Sequence, residues 1–157
     1  MPEPVCEGPS IATGDCTVIR CAPCGFSHIM PLPDAAEAVA FHEDEFFDEL
    51  KPAYRASHER DREWWDLVHG MRLARIERAI GRVGALLDVG SGFGDLVARA
   101  NSYGWRAEGL EPSRSAARWA NENGRLTHRG PISRDSTRQL GRFDAVVFDQ
   151  SIEHIAD

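Results

Sequence analysis

The chain has 157 residues with a net charge of −7, 42% hydrophobic and 27% charged residues, a composition typical of one soluble globular protein. No apolar run approaches the ~20 residues of a membrane span, and the N-terminus lacks the basic start and apolar core of a secretory signal. The acidic balance argues against nucleic acid as a partner, because phosphates favour a basic surface, so a cytoplasmic protein without membrane or nucleic-acid partners is expected.

Residues 1–33 form a first zone that is rich in cysteine, proline and glycine. A stabilising disulfide is not expected in a reducing compartment, and clustered thiols there are typical of a metal site. Only one pair of thiols has the Cys-x-x-Cys spacing of a zinc knuckle, so two interpretations stay open: a four-thiolate zinc site or a metal-free segment. The candidate ligands are Cys6, Cys16, Cys21 and Cys24.

Residues 34–80 form a second zone, which we predict to be a helical lead-in. Asp34 stands three residues before Glu37, which is the spacing of a capping box and predicts that a helix starts at Asp34. A later helix is predicted to pack on the following domain through apolar residues at helical spacing, namely Trp65, Val68, Met71, Ile76 and Ala79.

Residues 81–157 alternate between strand and helix signals. The run "ALLDV" predicts a strand covered on both faces, and "WRAEGLE", a weaker "RLTHR" and "FDAVVFD" predict three more strands. Helices are predicted for "DLVARANSY" after the first strand and for "SRSAARWANENG" after the second, the latter with Ser113 as its N-cap. Strands that alternate with helices indicate an α/β fold, here a Rossmann-like parallel sheet with strands one to four present.

Three glycines, Gly90, Gly92 and Gly94, form the turn after the first of these strands. Ligands of open α/β sheets bind at this end of the strands, and glycine lets the backbone turn sharply against a ligand. A dinucleotide fingerprint needs a further glycine where this chain has Asp95, whose charge would repel a pyrophosphate. An NAD-dependent oxidoreductase is therefore disfavoured, and a phosphate-binding P-loop lacks its Gly-Lys-Ser/Thr.

A ligand with adenosine and no phosphate fits better, and S-adenosylmethionine is one. Glu111 closes the second strand, 17 residues after Gly94, where an acid can accept both ribose hydroxyls. The cofactor's carboxylate can meet N–H groups of the glycine turn, and its ammonium can meet carbonyls and an acid. Together with Asp88, these features predict S-adenosylmethionine as the cofactor.

The segment "LLDVGSGFGDLVARANSYGWRAEGLEPS" resembles the first two motifs of class I S-adenosylmethionine-dependent methyltransferases. "FDAVVFDQSIEHIAD" resembles their fourth-strand motif, and "RCAPCGFSHIMPLP" is similar to the N-terminal segment of a bacterial subgroup with a zinc-knuckle-like region. The resemblance covers residues 20–157. It implies methyl transfer from S-adenosylmethionine to an unidentified small-molecule acceptor.

The resemblance also implies roles for individual residues. Glu111 would bind the ribose, Pro112 would flank the adenine, and residues 130–132, including Ile132, would touch it. Tyr54 lies in a segment that can cover the cofactor in the family. The residues lining the methionine and ribose part would be Asp88, Gly90, Ser91, Gly92 and Gly94, and those facing the sulfonium or the methionine portion would be Asp149 and Gln150.

This chain also departs from the family pattern. The acid expected beside the adenine is replaced by "RGPISRDS", where Asp135 is the candidate, and His154 is a weak candidate for a catalytic base. The family sheet has seven strands, whereas this sequence ends after the fourth, so we expect either a fragment that does not turn over alone or a partner that covers the exposed fourth strand. The alternative function is a non-catalytic cofactor-fold domain that acts through a partner.

Overall fold

The computed structural model describes residues 7–14, 16–30 and 40–155. The chain divides into two compact units, Met1–Ala38 and Val39–Asp157. The second unit contains both the described part of the helical lead-in and the sheet that follows it. Cys6 and the helix start predicted at Asp34 lie outside the described residues.

The first unit contains a three-stranded antiparallel sheet. Its strands are β1 (Ser10–Thr13), β2 (Cys16–Arg20) and β3 (Ser27–Met30), in that spatial order. Among the described residues of this unit only Cys21 is buried, and Phe26 is 75% exposed. The described part of the sheet therefore has no hydrophobic core of its own.

The second unit confirms the predicted α/β fold. Its four strands form one parallel sheet in the order β6-β5-β4-β7, which is third, second, first and fourth along the chain. This order matches one half of a Rossmann-like sheet together with its first crossing strand. The strands are β4 (Ala85–Val89), β5 (Arg106–Glu111), β6 (Thr127–Arg129) and β7 (Ala145–Phe148).

Helices connect these strands and precede them. A π-helix spans Phe41–Leu50, and a 3-10 turn spans Ile152–His154. Ser113 caps a helix as predicted, because its side chain accepts a hydrogen bond from the N–H of Ala116. The α-helices are α1 (Tyr54–Arg60), α2 (Arg62–Ile80), α3 (Asp95–Ser102), α4 (Arg114–Glu122) and α5 (Arg134–Leu140). No helix in the described ranges is long and apolar enough to cross a membrane.

Strand β4 is buried along its whole length, as predicted for a strand covered on both faces. Successive side chains of a strand point to opposite faces, so Leu86 joins one hydrophobic cluster and Leu87 joins another. The first cluster also contains Leu73 of α2, which docks the lead-in on the sheet. This fixed central strand positions the turn that follows it.

Helix α2 packs through a face that differs in part from the predicted one. Its buried residues are His69 and Leu73, with Ile76 packed against the same cluster. Met71, predicted to face the domain, is 62% exposed. The buried face of α2 includes His69, which is polar. A prediction from the spacing of apolar residues alone therefore does not find this face.

Candidate functional site

The glycine turn after β4 has the backbone conformation that requires glycine. Gly90, Gly92 and Gly94 have φ angles of 75°, 53° and 74°, in the left-handed region. The N–H of Gly90 donates to the carbonyl of Leu110 at 2.8 Å, so the turn is fastened to the end of β5. The predicted turn is therefore a glycine-dependent loop that is hydrogen-bonded to β5 at the carboxyl end of the sheet.

The turns after β4 and β7 meet at the place where the strand order reverses. The Ser151 hydroxyl donates to the carbonyl of Val89 at 2.6 Å. A Cβ built on Gly90 would lie 2.6 Å from the Cβ of Ser151, so a side chain at position 90 has no room. Open α/β sheets bind ligands in the crevice at this switch point.

Glu111 is buried at the end of β5, and both of its carboxyl oxygens face backbone donors. Oε2 accepts the N–H of Gly92 at 2.7 Å, and Oε1 accepts the N–H of Ser113 at 2.8 Å. Burial raises the pKa of Glu111 to about 7, although these two hydrogen bonds act in the opposite direction. A carboxylate offers about four acceptor positions, so Glu111 keeps capacity for further donors.

Asp88 is buried on β4 in an acidic environment. Burial, and then the charge of Asp149, raises the pKa of Asp88 to about 7, while Arg72 acts in the opposite direction. Arg72 donates two hydrogen bonds, of 2.6 and 2.9 Å, to the carboxylate of Asp149. Asp149 is therefore held by α2 across the end of the sheet.

Asp95 occupies the N-terminal end of α3. Its carboxylate accepts a hydrogen bond from Arg125 and lies 3.2 Å from Nδ1 of His58. Arg125 also donates to the carbonyl of Phe93 at 2.7 Å. A dinucleotide would place its pyrophosphate at this helix end, where the protein already holds an anion of its own.

Aromatic side chains cover the glycine turn. Phe47 of the π-helix contacts Phe93 of the turn with ring centroids 5.0 Å apart, and Tyr54 lies 5.2 Å from Phe47. A Cβ on Gly92 would lie 3.5 Å from Phe47. Trp119 of α4 contacts Phe93 from another side, at 5.6 Å. We call Phe47, Tyr54, Phe93 and Trp119 the aromatic cluster.

The aromatic cluster is surrounded by acids. Burial raises the pKa of Tyr54 to about 12, with a further contribution from the nearby carboxylates, so this hydroxyl remains a hydrogen-bond donor. Tyr54 is the residue that the resemblance places in a covering segment, whereas Phe47 was not among the predicted residues. The available signal was the run "FHEDEFF". Within the same segment, the Lys51 ammonium lies 4.9 Å from the ring centre of Phe46.

Two histidines meet near the turn after β7. The rings of His42 and His154 have centroids 4.7 Å apart. Burial, followed by the charge of His154, lowers the pKa of His42, which favours its neutral form. His154 was a predicted candidate base, whereas no sequence pattern singled out His42.

The structure also describes the four remaining residues that were predicted to contact the cofactor. Pro112 follows Glu111 and is half-buried, and Gln150 has a φ of 54° in the turn after β7. Ile132 packs against the cluster of Leu87, Val89 and Leu110. Asp135 is exposed on α5 and lies 3.5 Å from Arg138.

The Ser91 hydroxyl is buried and has no hydrogen-bond partner among the described residues. It lies 2.4 Å from the position that a Cβ on Gly109 would take, so a glycine in β5 makes room for it. The glycine turn therefore carries an unused polar group.

A separate cavity of about 250 Å³ lies beside the turn, lined by α1, α2, α3 and α4. His58, Trp65 and Asp95 contribute to its wall. None of the three turn glycines lines it, and its volume is below the ~300–1,000 Å³ of common ligand pockets. The convergence of predicted residues, rather than this cavity, defines the candidate site.

The first unit brings together a different group of residues. One ligand atom from each of Cys21, Cys24 and His28 lies within 4.8 Å of the others, a separation that suits a metal ion. Cys16 is exposed and does not belong to this group. Cys6 lies outside the described residues, and His28 was not among the predicted ligands.

Comparison with protein-family models and with curated proteins gave no match. Among solved structures, the chain resembles the PH0226 protein from Pyrococcus horikoshii OT3, with a TM-score of 0.29 and 14% sequence identity. The similarity covers 75% of this chain and 40% of that one, so the chain spans less than half of the matched structure. A functional assignment therefore has to rest on the site itself.

Proposed function

We propose that the chain binds S-adenosylmethionine at the glycine turn and transfers its methyl group to a small-molecule acceptor. The observation that carries this proposal is the 2.7 Å hydrogen bond from the N–H of Gly92 to Glu111. It joins the two predicted halves of the cofactor site, the glycine turn and the acid at the end of the next strand. These features lie far apart in sequence but act as one unit in space.

The chemistry of the site suits this cofactor. Glu111 has acceptor capacity for ribose hydroxyls, and the buried Ser91 hydroxyl can both donate and accept. Ser151 and Phe47 occupy the sides of the turn to which side chains at Gly90 and Gly92 would point, so a ligand would approach the backbone of the turn from its other side. Donors and acceptors of both kinds are thus present where the resemblance implies contact.

Charge favours a cationic ligand over a phosphorylated one. Asp88, Glu111 and Asp149 converge at the carboxyl ends of β4, β5 and β7, and only Asp149 has a direct arginine partner among the described contacts. In their ionised forms these carboxylates would attract a sulfonium or an ammonium and repel a pyrophosphate.

When bound, the cofactor supplies a methyl group that is electrophilic because it is attached to a positive sulfur. The contribution of the protein is then to hold and align the reactants, which can be worth about 7–11 kcal/mol in the barrier. The aromatic cluster would exclude water from the turn. His42 lies beside His154 and its lowered pKa favours the neutral imidazole, so it is the proposed base for a proton of the methyl acceptor.

Titration calorimetry with S-adenosylmethionine, its demethylated product and NADH tests the proposal. We expect the first two to bind and NADH not to bind. Gly92→Ala should weaken binding, because a φ of 53° strains any residue with a side chain and would shift the N–H that Glu111 accepts. Gly104→Ala is the matched control, since Gly104 has a φ of 86° and open space around it. Preferential binding of NADH would overturn the proposal.

A second candidate function is a cofactor-binding domain that acts through a partner without catalysis. The observation that favours it is the exposure of Val146 and Phe148 on β7, at 49% and 37%. Incubation with labelled S-adenosylmethionine and a metabolite extract separates the two candidates. Cofactor binding with methyl transfer supports the enzyme, and binding without transfer supports the partner-dependent domain.

A further inference from the structure

We propose that Cys21, Cys24 and His28 bind a zinc ion that holds the first unit together. Their ligand atoms lie within 4.8 Å of one another, although they come from a turn and from a strand. The proposal concerns the first unit and does not depend on the methyltransferase assignment.

The strand register explains why the two elements supply ligands to one point. Ile19 of β2 pairs directly with His28 of β3, so their side chains share a face of the sheet. Cys21 follows Ile19 by two residues and therefore returns to that same face. The hairpin continues at this point, because the N–H of Cys21 donates to the carbonyl of Phe26 at 2.8 Å.

The turn between β2 and β3 brings the thiol of Cys24 close to that of Cys21. The N–H of Gly25 donates to the carbonyl of Cys21 at 3.0 Å, which closes the turn around Cys24. Gly25 has a φ of 77°, a conformation that glycine adopts without strain. The sequence Cys-Ala-Pro-Cys-Gly thus forms a closed turn with both sulfurs near one point.

The donor set selects the metal. Two thiolates and one imidazole are soft or borderline ligands, which suit zinc and not magnesium or calcium. In a tetrahedral zinc site with bonds of about 2.3 Å, neighbouring sulfurs are about 3.8 Å apart. The observed upper limit of 4.8 Å needs only small side-chain movements to reach this value.

Cys16 lies too far along β2 to join the group. Cys16 and Cys21 are separated by five residues of extended chain, and each step advances about 3.3 Å, so their backbones lie about 16 Å apart. Cys16 is also exposed. It is therefore a suitable control residue, whereas Cys6 stays a predicted fourth ligand.

The first unit needs such a cross-link for its stability. Of its described residues only Cys21 is buried, and Ile11 and Phe26 are largely exposed. Units of fewer than about 40 residues usually depend on a disulfide, a metal or a partner to fold. Because a metal site rarely exists in an unfolded chain, the binding free energy of zinc becomes folding free energy.

Metal analysis of the full chain, purified after growth with zinc, tests the proposal. We expect about one zinc per chain in the wild type and in Cys16→Ser. Cys24→Ser and His28→Gln should each lower zinc affinity by more than the ~10–100-fold that loss of an outer-shell partner costs. Cobalt substitution gives a second readout, since thiolate-to-cobalt absorption should weaken in Cys24→Ser and persist in Cys16→Ser.

Hydrogen exchange on the full chain keeps the proposal testable if a variant misfolds. Adding a chelator to the wild type should remove protection from the backbone amides of β2 and β3 and leave β4 and β5 protected. Less than a tenth of a zinc per chain in the wild type would overturn the proposal. Undiminished zinc affinity in His28→Gln would equally overturn the three-ligand site.

Discussion

Glu111 links two backbone segments through one side chain, because its two oxygens accept the N–H groups of Gly92 and Ser113. A carboxylate that satisfies buried donors both orders the protein and remains available to a ligand. The same residue therefore belongs to the packing of the fold and to the proposed cofactor site.

Glu111→Ala should weaken S-adenosylmethionine binding by about 1–3 kcal/mol, because the ribose hydroxyls would lose the acceptor proposed for them. Glu108→Ala on the same strand is the control, since Glu108 faces His128 at 2.7 Å and not the glycine turn. Calorimetry on both variants measures the difference. Equal affinities would remove Glu111 from the cofactor site.

Asp88 makes the stability of the fold depend on pH. Its pKa rises from 3.8 to about 7 on folding, so between these values the folded state binds more protons than the unfolded state. The free energy of unfolding should therefore fall as pH rises, by up to ~1.4 kcal/mol per pH unit for this group. The contribution is complete below the unfolded pKa and lost as pH passes about 7.

Asp88→Asn should remove this part of the pH dependence, so its stability relative to the wild type should increase between about pH 5 and pH 8. Urea unfolding across that range measures the change. Asp144→Asn is the control, because its backbone and arginine hydrogen bonds lower the pKa of Asp144 and keep it ionised throughout. A constant difference between Asp88→Asn and the wild type would contradict the prediction.

At the scale of elements, the sequence predicted a helix or strand correctly where one local signal, such as an apolar run or a capping residue, was strong. The continuous apolar run of β4 and the serine before α4 predicted both elements correctly, because burial and capping act locally. Helix α5 was missed, although Ser133 and Ser136 form a capping box there. Its seven residues contain no buried side chain, so no apolar periodicity marks it.

The residues that the strand ends contribute to the candidate site were predictable from the sequence, and the residues that the preceding helices contribute were not. The glycines follow β4 directly and Glu111 is the last residue of β5, so the topology alone brings them together. Phe47, Arg72 and His42 come from helices whose placement depends on long-range packing. Local sequence has no information about which strand end such a helix will reach.

Leu73→Ala should destabilise the second unit by about 2–5 kcal/mol, because Leu73 is 2% exposed and anchors α2 on the sheet. Met71→Ala is the matched control and should change stability by less than about 0.5 kcal/mol. Chemical unfolding of the two variants measures both effects. A larger loss in Met71→Ala would mean that α2 packs through the face predicted from its apolar spacing.

At the scale of the whole molecule, the sheet of the second unit has an exposed side at β7. Among the described residues β7 pairs with β4 alone, and its Val146 and Phe148 reach solvent. Unpaired apolar strands promote association with other strands. A partner that covers this edge stays a prediction. The simplest such partner is a second copy of the chain, which would be observed as self-association.

Val146→Lys should reduce concentration-dependent self-association, because a charged side chain on an edge strand opposes strand pairing. Sedimentation velocity over a wide concentration range compares it with Val83→Lys, which adds the same charge outside the sheet. A wild-type chain that stays monomeric at every concentration would contradict the expected self-association.

Lys51 is the one lysine among the 18 basic residues of the sequence, and it lies next to Phe46 in the segment whose Phe47 touches the glycine turn. Amine-directed acylation therefore addresses a single side chain without any engineering of the surface. A fluorophore attached to Lys51 would lie near the aromatic cluster, and its emission would change if a ligand displaced that cluster. The arginine bias of this chain thus provides a built-in attachment point for following ligand entry in real time.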